Sequence, residues 1–244
     1  MLQEIFDRLS AAPTPAKRET EIGRFLEIGM LPSFIYNLST ITVNDDKNVL
    51  QYQVSPDYLC LGSDTEYMHI PMSPLTCKGF MSTNGFVLPT PKMVRQIYGA
   101  SKIKPRAVAW GELYKNQTKK YNRDSTRCYL DHSKRIQEMI AANTYTPGDL
   151  IGGHKKDVVL TNLLTQPKNK NNVAIFGWFN SDGSIIQNLN AVDHVVTYVD
   201  YSHGLRMVKD KCLLNGQETT IQNIWNDPIL CKLLHDEPLR FKSY

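Results

Sequence analysis

Nowhere in the 244 residues does an apolar run approach the about 20 consecutive residues that a membrane-spanning helix needs, which argues against membrane insertion. The chain begins with Glu4, Asp7 and Arg8 where a secretory signal would carry a basic start and an apolar stretch, so synthesis in the cytoplasm without a signal peptide is expected. Cysteine is sparse. Cys60, Cys77, Cys128, Cys212 and Cys231 are odd in number, widely spaced and free of any CxxC pair, which argues against a disulfide framework or a zinc knuckle and fits a reducing compartment. The 28 Lys and Arg against 24 Asp and Glu leave a formal charge of +4, too mild by itself to imply a nucleic-acid partner. There is no glycine period, Gly-rich phosphate loop, GxSxG elbow or HExxH motif.

What remains is a globular composition, 41% hydrophobic and 21% charged, which excludes disorder and suffices for a sizeable core. No linker divides the chain, so one domain over 1–244 is expected. Thr14-Pro15, Ser73-Pro74 and Thr90-Pro91 each place a capping residue before a proline at the first helical position, and Ser125 to Asn143 carries a further helical stripe. Residues Phe34 to Leu61 are β-rich, with 44–48 as a hairpin turn. The tract Trp110 to Arg123 interleaves aromatic and basic residues and reads as a long surface loop. In the last third, Val158 to Leu160, Val173 to Phe176, Val192 to Val199 and Leu205 to Val208 read as strands of one mixed sheet, closed by a helix from Thr220 to Leu234 that Pro228 interrupts. The fold class is therefore α+β: a mainly helical part with a hairpin over 1–145, and a C-terminal mixed sheet over 146–244.

Chemistry-bearing residues crowd into this last part. His154 follows a glycine pair at a strand entrance, and His194 and His203 flank a later segment. A catalytic zinc site takes three protein ligands plus water, and His154, His194 and His203, with Asp157 as a further candidate, are the metal ligands this pattern suggests. In one regular strand His194, Tyr198 and Asp200 would share a face and His203 would point away, so His203 joins them only through a bulge near Ser202 and Gly204. A non-metal alternative makes His203 and Asp200 a proton-transfer pair, with Tyr198 beside them and Lys156 or Arg206 holding an anionic group. A third reading makes the histidines hydrogen-bonded core residues and Asp200 with Arg206 a structural ion pair. His69, between Met68 and Ile70, reads as a buried, satisfied histidine, and Cys128 with His132 as helix packing.

The runs Gly153-His154-Lys155-Lys156-Asp157-Val158-Val159, Ile175-Phe176-Gly177-Trp178 and Tyr198-Val199-Asp200-Tyr201-Ser202-His203-Gly204-Leu205-Arg206 resemble a family of uncharacterised proteins associated with bacteria and bacteriophages, over about 55–208. That family typically follows Gly-Trp with histidine, where Phe179 stands here. A looser similarity in layout links the chain to zinc peptidases that cut peptidoglycan cross-links. The family resemblance carries no established reaction; the histidine cluster and that layout lead to the expectation of a hydrolase, metal-dependent if Zn is bound, acting on a cell-wall or envelope polymer such as peptidoglycan. The alternative is a non-enzymatic virion or assembly protein whose partners are other virion subunits, either one virion-associated or released at lysis.

Overall fold

The computed structural model describes residues 1–115, 121–189 and 192–244. Two helices open the chain, α1 (Leu2–Ala11) and α2 (Pro15–Glu27), the second capped by Thr14, whose Oγ1 accepts from Lys17 N at 3.2 Å. After a short 3-10 turn come β1 (Ser39–Asn44) and β2 (Val49–Val54), then the small hairpin β3 (Cys60–Gly62) and β4 (Tyr67–His69). Helix α3 (Pro74–Thr83), strand β5 (Phe86–Val87) and helix α4 (Pro91–Ala100) follow, with Ser73 and Thr90 as the expected caps. The tract read as a loop contains one helical turn, α5 (Trp110–Leu113), and its residues 116–120 lie outside the described residues. Helix α6 (Thr126–Ala141), capped by Ser125, lies against β4 and α1.

The last third holds β6 (Lys156–Val158), β7 (Ile175–Phe179), β8 (Ile185–Gln187), β9 (His203–Gly204), β10 (Val208–Leu214), β11 (Gln217–Thr220) and α7 (Ile221–Asn226). These strands do not form one sheet. β10 and β11 extend the N-terminal hairpin in the order β1-β2-β10-β11, with β5 also on β10, whereas β8-β7-β6-β9 form a separate four-stranded sheet in which only β6 and β9 run parallel. Burial explains the split: Val54 and Val208 pair across the chain, both fully buried in the main core. Residues 192–199 are not a strand either. Their backbone bonds singly to the turn at 171–173, through Val173 N to His194 O and Val196 N to Asn171 O, so Asp193 to Thr197 stay largely solvated. The closing helix stops at Asn226, before Pro228, and resumes as a 3-10 turn at Leu230–Leu233. The architecture is a single α+β domain, and among the described residues no helix is long and apolar enough to cross a membrane.

Candidate functional site

Three segments converge beneath α6. The β2–β3 connection supplies Asp57, β4 supplies His69, and the glycine pair before β6 supplies His154; all three are at most 1% exposed. The glycines are required here. A Cβ on Gly152 would lie 2.4 Å from Ser101 Oγ, and one on Gly153, whose φ is +102°, 2.7 Å from the Tyr98 ring. This close approach to the end of α4 turns His154 into the core. Arg206, 1% exposed, fastens the two loops together by donating from Nη1 to Ser55 O at 2.9 Å and from Nη2 to Ile151 O at 2.7 Å.

Asp57 is the hub. Its Oδ1 accepts from His154 Nε2 at 2.9 Å and from Tyr58 N at 2.7 Å, and its Oδ2 meets His69 Nε2 at 2.9 Å. Ser133 on α6 fixes the tautomer of His69. Its Oγ accepts from His69 N at 2.9 Å and from Gln137 Nε2 at 3.1 Å, which fills both lone pairs, so its hydroxyl donates to His69 Nδ1 at 3.0 Å and Nε2 carries the proton facing Asp57. Burial pushes the Asp57 carboxyl up, but its interactions with the His69 and His154 imidazoles outweigh it and hold the carboxyl well below the usual range. Burial lowers His154 to about 4, against the opposing pull of Asp57, so its ring is neutral near pH 7 and Nδ1 presents a lone pair with no partner among the described residues.

Ligand atoms from Asp57, His69 and His154 all lie within 4.8 Å of one another, and among the described residues this is the one such group of three or more metal-binding side chains. Two imidazoles and a carboxylate suit zinc and other first-row divalent ions. To ligate through Nε2, which faces Asp57, His69 would have to give up the proton it carries there. The row Ser133–His69–Asp57 also has the connectivity of a nucleophile relay, but Ser133 is fully buried and its oxygen is already saturated, so it meets no substrate.

Of the ligands expected from sequence, the structure gathers His154 alone into this group. His194 is exposed and stacks on Tyr198 with ring centroids 4.2 Å apart. His203 is buried on β9, edge-on to Tyr198 with ring centroids 5.7 Å apart. Strand alternation separates the rest. Asp157 turns toward Tyr58, whose hydroxyl donates to its Oδ2 at 2.7 Å, and burial raises its carboxyl to about 7 despite the Arg206 charge and that bond. Lys155 turns the same way, its ammonium 2.5 Å from Tyr201 O and 3.2 Å from His132 Nδ1, with burial lowering it to about 8. Lys156, between them, lies on the other face over Trp178.

The structural ion pair expected of Asp200 and Arg206 is not formed, although both are buried as expected. Asp200 instead accepts from Ser202 N at 2.8 Å, Ser202 Oγ at 2.5 Å and Tyr198 OH at 3.3 Å. Arg206 spends two donors on backbone carbonyls and covers the Tyr58 ring at 4.2 Å. Asp57 carried no signal in the sequence, and His69, rightly read as buried and partnered, gave no hint of its neighbours. Comparison with protein-family models, curated proteins and solved structures finds no match to this chain.

Proposed function

We propose that the protein is a metal-dependent hydrolase in which Asp57, His69 and His154 hold one divalent ion, zinc by donor type, and act on a cell-wall polymer such as peptidoglycan. The observation that carries this reading is the convergence of three donors from three segments, one short of a closed structural site. A bound ion there would polarise a water in the remaining position. The looser similarity in layout to zinc peptidases suggests the polymer as substrate, and the resemblance of the runs at 153–159 and 198–206 to bacterial and bacteriophage proteins suggests release at lysis or carriage on a virion as the route to it.

A second reading is favoured by the sealing of the group, since none of the three side chains exceeds 1% exposure. In it the network braces the core of a non-enzymatic virion or assembly protein. Incubating the protein with purified peptidoglycan, with zinc and after chelation, separates the two. Zinc-dependent fragment release, lost in Asp57→Asn, is the expected result; an inert protein that takes up no metal supports the brace instead.

A further inference from the structure

The opposite face of β6 carries a second constellation. Register sets Lys156 across from Gly177 on β7 and across from His203 on β9, so the three positions lie side by side. In a regular strand the residue after Gly177 would turn to the other face. Here Gly177 has φ +99° and Trp178 has φ +58°, and the indole lies under the Lys156 ammonium, 4.9 Å from Nζ to the ring centroid. A bulky aromatic in the left-handed region is strained, and such strain persists where the surroundings impose it, most often at ligand sites.

Two polar atoms on this face are left over. Trp178 Nε1 and His203 Nε2 are buried and have no hydrogen-bond partner among the described residues, and His203 as a whole is 1% exposed. Buried indole and imidazole nitrogens normally find partners. Half-buried Tyr198 stands edge-on to His203, with its hydroxyl on Asp200. Arg123, exposed and stacked over Trp110 at 4.9 Å, is tied in by its carbonyl, which accepts from Tyr201 N at 2.9 Å.

We propose that this face is a saccharide site for an acidic sugar, with Lys156 and Arg123 taking its carboxylate, Trp178 Nε1 and His203 Nε2 its polar substituents, and the rings of Trp178 and Tyr198 its apolar face. Lys156, Arg123 and the indole N–H are donors only, which calls for a ligand rich in acceptors. Asp200 is left to accept from sugar hydroxyls. Flat rings around a few convergent polar groups are the usual make-up of a small-molecule site. Naming a cell-wall sugar as the natural ligand rests on the hydrolase reading above; the donor pattern itself does not.

The test is titration of the whole chain with N-acetylmuramic acid, followed by tryptophan fluorescence and calorimetry, with N-acetylglucosamine as the neutral control. Saturable binding at least tenfold tighter for the acidic sugar is expected. Lys156→Gln should weaken the acidic sugar at least tenfold and leave the neutral one unchanged. Trp178→Gly should abolish both, since glycine adopts φ +58° freely and keeps the backbone path while the ring is lost. Should that variant not fold, Lys156→Gln, at a half-buried position, still decides. No saturable change with N-acetylmuramic acid, or equal binding of both sugars that Lys156→Gln does not alter, overturns the site. Acidic-sugar binding without zinc-dependent fragment release keeps this site and removes the hydrolase; zinc-dependent release without such binding removes this site alone.

Discussion

The two faces of β6 handle polar groups in contrasting ways. On the sealed face, Asp57, His69, Ser133, Tyr58 and Asp157 are joined by hydrogen bonds of 2.7 to 3.0 Å, and Arg206 ties the loops that deliver Asp57 and His154. On the other face Lys156, Trp178 and Tyr198 are half-buried, and two ring nitrogens have no partner among the described residues. A densely cross-linked buried network adds rigidity and holds groups in fixed positions even with His154 Nδ1 left over, whereas unpartnered ring nitrogens beside strained backbone are what a ligand completes. Neighbours in the run 153–159 therefore belong to two sites, and closeness in sequence says little about shared chemistry.

The hardest blow to the sealed face is Arg206→Met. It strips partners from two buried carbonyls and uncouples the Asp57 and His154 loops, so urea unfolding should show a loss of about 4 kcal/mol, and zinc binding should disappear with it. Acid should act on both faces together. His154 and His203 each fall from 6.5 to about 4 in the folded protein. Between those values the unfolded chain binds more protons, so stability declines as pH drops from 6.5 toward 4, by up to about 3 kcal/mol per histidine. Thermal melts of wild type and His203→Asn across this range check it, the variant losing less.

Asp157 has the opposite sign. Its folded carboxyl is raised from 3.8 to about 7, so the folded state binds the extra proton between those values and stability falls as pH rises through them. Asp157→Asn should therefore be more stable than wild type at pH 8, by up to about 4 kcal/mol, and close to it at pH 4, in paired melts. The smallest effect belongs to His194→Ala, an exposed position, where urea unfolding should change by less than about 0.5 kcal/mol and zinc affinity not at all.

What sequence made legible was local. The caps Thr14, Ser73 and Thr90 stand where the pattern put them, and a helix begins after Ser125 as read, because each is decided within four residues. Helix α1 had no such signature, since Met1 offers no side-chain cap. His154 was readable through the glycines that precede it. Its partners were not, because Asp57 lies 97 residues away and is brought over by the pairing of the β2–β3 segment with residues 205–207, through Leu59 N to Leu205 O and Ser55 N to Met207 O. The same pairing took Arg206 away from Asp200 and gave it to Ser55 and Ile151.

Calorimetric titration of zinc into wild type, Asp57→Asn and His194→Ala tests the central claim most directly. One ion per chain is expected for wild type and His194→Ala, with affinity reduced at least tenfold in Asp57→Asn, whose amide supplies no charge to the ion. Binding that survives Asp57→Asn unchanged, or that vanishes in His194→Ala, would contradict a metal centre built from Asp57, His69 and His154.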